Sequence, residues 1–215
     1  MPGNNTNIST LGEAFDYLSS NGYYIMSPKN ANIVGGITLD LNAFSKSSYA
    51  GVGKWKDLSG GEHDITLVNS PSYNDVGYIQ FDGANDYGYS STLYYGNGKR
   101  MSNCSVFALV NTTYNSGTPG SWNNNNWSIL DFDRSDVFTF TLNGTGEVQM
   151  SGRDNNNNYF DIVGTQQCND GKWHYVGWTF DQANKQVKMY VDGKLDRTHT
   201  YSNMGELGWG STISK

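Results

Sequence analysis

The sequence predicts an all-β protein built as a sandwich of two antiparallel sheets. Short segments in which apolar and polar residues alternate recur along the chain, and turn signals such as Asp82-Gly83, Asn143-Gly144 and Asp170-Gly171 separate them. Many short strands at such spacing are typical of β-sandwiches and barrels. The composition agrees, because only 16% of the 215 residues are charged whereas 14% are aromatic. This balance disfavours both a helical bundle and a disordered chain.

The strands are expected from residue 33 onwards. Ile37, Leu39 and Leu41 alternate with polar residues, which indicates a half-buried strand. The apolar run at residues 105–110 predicts a strand covered on both faces. Further strands are expected at residues 65–68, 78–81, 128–132, 137–142, 147–150 and 159–163. The clearest hairpin is predicted at residues 173–180 and 187–191, and Asp192-Gly193 begin the turn after it.

Residues 1–32 are expected to form an N-terminal arm and residues 33–215 one domain, since the length fits one sandwich plus an appendage. Thr10 and Glu13 have the spacing of a helix capping box. A helix of two turns is unstable alone in water, so the arm is expected to dock on the sandwich or on another subunit. The residues assigned to this attachment are Leu11, Phe15, Leu18, Tyr23 and Tyr24.

The net charge of −6 and the lack of a basic run disfavour binding to nucleic acid or to an anionic membrane surface. No apolar stretch approaches the roughly 18 residues of a bilayer span, and the first residues lack the pattern of a secretory signal peptide. If the protein acts outside a cell, release of a particle by lysis is the expected route. Cys104 and Cys168 lack zinc-site spacing, and two separate thiols are favoured over a disulfide.

Two asparagine runs, at residues 123–126 and 155–158, are interpreted as loop insertions, most simply as solvated loops. The first run lies between two tryptophans. Amide side chains hydrogen-bond hydroxyl groups, and an aromatic face packs on the apolar side of a sugar ring. The candidate carbohydrate-binding residues are therefore Trp122, Asn124, Asn125 and Trp127.

Several segments resemble the concanavalin A-like, laminin-G-like (LamG) jelly-roll family over residues 34–200. The first is the opening GITLDLNA at residues 36–43 with Ser48-Tyr49 and WKDLSG at residues 55–60, a combination familiar from tailed-phage structural proteins. The others are YIQFDGANDY at residues 78–87 and the hairpin at residues 170–195. The resemblance implies an antiparallel concanavalin A-like jelly roll in which Trp173, Tyr175 or Val176, and Trp178 fill the space between the sheets.

Some members of that family bind Ca²⁺ through loop carboxylates. Asp82, Asn85 and Asp86 offer hard oxygen ligands of the right kind, so calcium is a possible cofactor by resemblance. The other interpretation is structural, with Asp82 and Asp86 capping turn amides while Gly83 adopts a positive φ. Turn capping is favoured, and no other cofactor is expected.

These folds normally finish with an apolar strand after the hairpin, and residues 205–215 contain no strong candidate for it. Three explanations stay open. The chain could be a truncated product, residues 23–26 could fill the gap, or a neighbouring subunit could donate the strand. An open sheet edge invites pairing with another chain.

Catalysis is not expected. Relatives that hydrolyse glycans use two carboxylates on one face, about 5–5.5 Å apart in retaining enzymes, whereas the four glutamates here are far apart in sequence. Asp131 and Asp133 form an acidic cluster that fits a strand end and turn. The three histidines are isolated, with no nucleophile motif around them.

The function expected from these features is that of a non-catalytic phage structural protein, a capsid decoration or a tail or fibre component with a lectin-like domain. It would be assembled in the host cytoplasm and located on the virion. Its partners would be other virion proteins or copies of itself, through the arm and the open edge, and host glycans. The alternative is a carbohydrate-binding module of an adhesin or secreted glycan-processing protein; a glycoside hydrolase is a third hypothesis.

Overall fold

The computed structural model describes residues 36–49, 51, 53–93, 100–116, 127–133 and 135–208. Within these ranges the regular elements are all β-strands. The described residues contain no helix that is long and apolar enough to cross a bilayer. The chain divides into two compact units. The N-terminal unit is described over residues 36–93 and the C-terminal unit over residues 100–208. The predicted arm, with Leu11, Phe15, Leu18, Tyr23 and Tyr24, lies outside the described residues.

The N-terminal unit contains a three-stranded sheet in the order β1-β2-β5 and a hairpin of β3 and β4, all antiparallel. Its strands are β1 (Lys54–Trp55), β2 (Ile65–Val68), β3 (Ser72–Asn74), β4 (Tyr78–Gln80) and β5 (Tyr87–Tyr89). The strands predicted at residues 65–68 and 78–81 are therefore present.

The strand predicted at Ile37, Leu39 and Leu41 is not formed, because the backbone groups of Asp40 are hydrogen-bonded to a loop at residues 57–58 rather than to a neighbouring strand. The amide of Asp40 donates to the carboxylate of Asp57 over 2.9 Å, and the carbonyl of Asp40 accepts the amide of Leu58. Period-two hydrophobicity in this segment therefore does not correspond to a strand: Ile37 is 41% exposed, and residues 39–43 are all half-buried.

Asp57, from the WKDLSG motif, organises this part of the unit. Its buried carboxylate accepts hydrogen bonds from the amides of Asp40, Ser59 and His63 and from the Ser59 hydroxyl. Burial alone would raise the pKa of Asp57, but these hydrogen bonds lower the pKa below its ordinary value. The motif is thus explained by a loop wrapped around one ionised carboxylate.

The C-terminal unit is a sandwich of two four-stranded antiparallel sheets, which confirms the predicted architecture. The meander sheet has the order β10-β9-β8-β7, from β7 (Trp127–Asp131), β8 (Phe138–Leu142), β9 (Glu147–Arg153) and β10 (Tyr159–Gln167). The hairpin sheet has the order β13-β12-β11-β6, from β6 (Asn103–Asn111), β11 (Trp173–Asp181), β12 (Gln186–Val191) and β13 (Lys194–Thr200).

The core lies between these two sheets and is rich in aromatic rings. Trp178 is fully buried and meets Phe138 edge to face, with ring centroids 4.9 Å apart. Val176 and Trp178 point inward, as the sequence predicts. Trp173 and Tyr175 are half-buried on the opposite face of β11, because successive strand residues alternate between faces. The expectation that Trp173 fills the space between the sheets is therefore wrong.

The strand predicted to be covered on both faces is also corrected. β6 is the last strand in the order of the hairpin sheet, and its residues alternate between half-buried and exposed over most of its length. β8 instead is buried along its whole length, including the hydroxyl-bearing Thr139 and Thr141. An unbroken apolar run therefore did not identify the doubly covered strand.

The second asparagine run is an exposed connection between β9 and β10, as expected of a solvated loop, and it is ordered as a hydrogen-bonded turn. Asp154, which is 1% exposed, accepts hydrogen bonds from the amides of Asn156, Asn158 and Gly205. Leu207 then exchanges two backbone hydrogen bonds with Met101. The C-terminal segment at residues 203–208 is thereby fastened by isolated bridges rather than by a regular strand.

Both cysteines are free thiols, in agreement with the sequence prediction. Burial raises the pKa of Cys104 to about 12. Burial, with further contributions from nearby carboxylates, raises the pKa of Cys168 to about 12. Neither thiol is activated as a nucleophile.

Candidate functional site

Trp127 is the described member of the predicted sugar-binding loop; Trp122, Asn124 and Asn125 lie outside the described residues. It opens β7, is 37% exposed, and pairs with Tyr114 at a ring-centroid distance of 4.9 Å and an interplanar angle of 46°. The structure therefore places an exposed tryptophan, Trp127, against the half-buried ring of Tyr114 at one end of the sandwich. Sequence reasoning missed Tyr114, although it closely follows the apolar run of β6.

A turn at residues 169–172 holds the backbone that carries Tyr114. The side-chain amide of Asn169 donates to the Tyr114 carbonyl over 2.8 Å. The amide of Gly171 donates to the Thr112 carbonyl, and the Asn111 side chain donates back to the Gly171 carbonyl. Three hydrogen bonds thus fix the segment that follows β6.

A second turn, at residues 143–146, supports the same end of the sandwich. Asn143 is 2% exposed, and its side-chain oxygen accepts the amides of Thr145 and Glu147. Ser116 donates from both its amide and its hydroxyl to the Gly144 carbonyl. The aromatic pair therefore stands beside two turns whose backbones are internally hydrogen-bonded.

Asp170, in the first of these turns, carries a stable negative charge. Burial raises the pKa of Asp170, but hydrogen bonds from Lys172 and His174 outweigh it and lower the pKa to about 2. The Lys172 ammonium lies 2.9 Å from one carboxylate oxygen, and His174 lies 3.0 Å from the other. The turn is thus held by charge-assisted contacts.

The proposed calcium ligands form a self-contained turn. One oxygen of Asp82 accepts the amides of Ala84, Asn85 and Asp86, and Asp86 accepts the amide of Asp82. These amide hydrogen bonds lower the pKa of Asp82, and Gly83 has the expected positive φ of 72°. Turn capping accounts for the motif. Across the described ranges, no group of three or more His, Cys, Asp or Glu side chains is arranged to hold a metal ion.

The acidic cluster at the end of β7 has the geometry of a turn. Asp131 accepts the amide of Asp133 over 2.8 Å, and Asp133 in turn accepts the amide of Ser135. Burial is the main cause that raises the pKa of Asp131. The contacts are those of a strand end followed by a turn.

Residues 118–213 match the sequence profile of the concanavalin A-like lectin/glucanases superfamily, in its laminin G-like branch. This segment includes most of the strands of the sandwich described above. The match agrees with the resemblance read from the motifs. No curated protein matches the sequence.

Three solved structures align with part of this chain. HCR/D, crystallised as a tryptophan-to-alanine mutant, is 16% identical with a TM-score of 0.51, and the match covers 82% of this chain and 42% of that one. The binding domain of Paraclostridial Mosquitocidal Protein 1 is 13% identical with a TM-score of 0.49, over 82% of this chain and 43% of that one. Domains LG4-5 of the mouse laminin alpha1 chain are 18% identical with a TM-score of 0.35, over 50% and 26%. This chain spans less than half of each of these structures.

Proposed function

We propose that the C-terminal unit is a carbohydrate-binding domain whose sugar contact is the Trp127–Tyr114 pair. The observation that carries the proposal is an exposed tryptophan, paired with a tyrosine, at the end of a sandwich whose sequence matches a superfamily of lectins and glucanases. A sugar ring presents apolar C–H groups on its faces and hydroxyls around its edge. An exposed aromatic face packs against the C–H groups, and nearby amide and hydroxyl groups form hydrogen bonds with the sugar hydroxyls.

The sequence just before β7 contains further candidate sugar contacts. Trp122, Asn124 and Asn125 supply a second aromatic ring and two amide side chains close in sequence to Trp127. The hydrogen-bonded backbone around Tyr114 supports binding because a preorganised site loses less conformational entropy when the ligand docks.

The setting that we propose is a binding module of an adhesin or of a secreted glycan-processing protein. The proteins named above include a toxin binding domain and a laminin, and none of the three is described as a phage protein. The virion role expected from the sequence gains no support from them and forms no part of this proposal.

The test is a glycan array followed by calorimetry on the full chain. We expect at least one glycan to bind, and Trp127→Ala to weaken its binding at least tenfold, about 1.4 kcal/mol. Tyr89→Ala is the matched control, since Tyr87 and Tyr89 form an exposed aromatic pair in the N-terminal unit with centroids 6.4 Å apart. A folded Trp127→Ala protein that binds like the wild type would exclude this site, and a blank array would exclude the function.

A further inference from the structure

A second aromatic surface lies on the outer face of the hairpin sheet, the face turned away from the meander sheet. Phe107 stacks on Tyr175 with centroids 5.3 Å apart and planes 12° apart, and it meets Tyr190 at 5.9 Å. We call these three residues the aromatic platform. Phe107 is 38% exposed, so its ring is accessible to a ligand.

Gly177 explains why the Phe107 ring can lie over the sheet. The register of the sheet places Gly177 directly between Phe107 on β6 and Tyr190 on β12. A Cβ atom at this position would lie 2.2 Å from the Cδ1 atom of Phe107. The missing side chain therefore creates the space into which the ring settles.

Polar rows continue the same face beyond the aromatic platform. Because residues two apart on a strand share a face, the registers align two rows of hydroxyl, amide and charged side chains across the four strands. The nearer row is Ser105, Thr179, Lys188 and Thr198, and the farther row is Asn103, Asp181, Gln186 and Thr200. An aromatic surface bordered by hydrogen-bonding side chains matches the two faces of a sugar.

The charges on this face balance. In the two rows, Lys188 is the cation and Asp181 is the anion. Hydrogen bonds from Asn184 are the main cause that lowers the pKa of Asp181, and the positive charge of Lys188 contributes as well. The Asp181 carboxylate is already engaged by the amide and the side chain of Asn184. A surface without net charge favours an uncharged ligand over a sulfated or uronate-bearing polymer.

A second copy of the chain fits this face less well. The chain carries a net charge of −6, so two copies repel each other. The large apolar side chains exposed at and beside the platform are Phe107 and Leu195, which is 56% exposed. Stable homodimers bury a larger and more apolar surface.

We propose that the outer face of the hairpin sheet is a second carbohydrate-binding surface, which takes an uncharged glycan chain across the aromatic platform and its polar rows. This surface uses none of the residues of the Trp127–Tyr114 site. Two sites on one domain would raise the apparent affinity for a polymer far more than for a short oligosaccharide.

The experiment compares binding of the full chain to neutral polysaccharides (β-glucan, xylan, starch and chitin) and to polygalacturonate and heparin. Phe107→Ala is expected to weaken binding to a neutral polymer at least tenfold. Tyr159→Ala is the matched control, because Tyr159 is an exposed aromatic residue on β10 of the other sheet. Tyr190→Ser tests the same platform if melting shows that Phe107→Ala is unfolded.

Trp127→Ala separates this inference from the proposed function. Loss of neutral-polymer binding in Phe107→Ala and a further loss on adding Trp127→Ala support two sites. Wild-type binding by folded Phe107→Ala and Tyr190→Ser overturns the second site, whatever Trp127→Ala does. A platform-dependent preference for the charged polymers, or light scattering that shows a dimer dissolved by Phe107→Ala without glycan binding, also overturns it.

Discussion

The Nδ1 atom of His174 lies 2.9 Å from a carboxylate oxygen of Asp192, while its Nε2 atom lies 3.0 Å from Asp170. Ionised carboxylates only accept hydrogen bonds, and a neutral imidazole has one donor. Both contacts are therefore hydrogen bonds when the ring carries two protons. Burial lowers the pKa of His174, but the hydrogen bonds and charges of Asp192 and Asp170 outweigh it and raise the pKa overall.

This histidine connects two turns to β11. Asp192 begins the turn between β12 and β13, and its other oxygen accepts the amide of Tyr175. Asp170 belongs to the turn that holds the segment of Tyr114. Loss of one proton from His174 would release one of these two anchors.

The first prediction concerns pH. Since the pKa of His174 is raised on folding, its stabilisation is complete below the unfolded value of about 6.5 and is lost as the pH rises through the folded value. The folded pKa of Asp170 is about 2, so its contribution is complete above about pH 4 and is lost as the pH falls towards 2. We expect the contributions of His174 and Asp170 to be complete together between about pH 4 and 6.5.

Chemical denaturation at several pH values checks this. His174→Gln should lower the free energy of unfolding at pH 5 by about 1–3 kcal/mol, and by less at pH 9. The control is His63→Gln, because the His63 ring contacts the Thr92 hydroxyl rather than a carboxylate. If His174→Gln lowered the free energy of unfolding equally at both pH values, a stabilising role for the positive charge of His174 between Asp170 and Asp192 would be contradicted.

The second prediction concerns the core. Trp178 is fully buried against Phe138 and Phe140, and Trp178→Ala should lower the free energy of unfolding by about 3–5 kcal/mol because a large cavity remains. Its indole N–H is buried with no hydrogen-bond partner among the described residues. Trp178→Phe removes that N–H and keeps much of the ring, so it should cost less. Equal losses in denaturant titrations would argue against this packing.

The third prediction concerns Asp57. Asp57→Ala leaves four donors without their acceptor, and we expect a loss of about 2–4 kcal/mol in the free energy of unfolding of the N-terminal unit. Asp75→Ala removes an exposed aspartate from the turn between β3 and β4 and should change little. Hydrogen exchange of β2 amides reads out this unit. Unchanged exchange in Asp57→Ala would contradict the assigned role.

The fourth prediction concerns Asp154. Asp154→Ala should expose the amides of Gly205, Leu207 and Gly208 to faster hydrogen exchange, because the carboxylate joins the 155–158 turn to this segment. Lys194→Ala, an exposed change in β13, is the control. Protection of those amides at the wild-type level would show that the backbone bridges hold the segment without Asp154.

Local patterns predicted the strands of the sandwich well, since alternation and turn residues act over a few positions. They could not assign faces where both sides of a strand carry aromatic rings, as with Tyr175 and Trp178 on β11. The Tyr114–Trp127 pair depends on folding that brings the two rings together, and the alternation at Ile37 was overridden by backbone hydrogen bonds to Asp57 and its neighbours. Long-range contacts of this kind leave no local signal.

The position of β8 has a consequence for exchange kinetics. All five of its residues are buried, and its backbone is hydrogen-bonded to β7 on one side and to β9 on the other. Solvent can reach those amide protons only when the meander sheet opens, and strands of this kind exchange at rates set by global unfolding. The slowest amides of Phe138–Leu142 therefore report the stability of the C-terminal unit, and a ligand that binds only the folded unit should slow their exchange further.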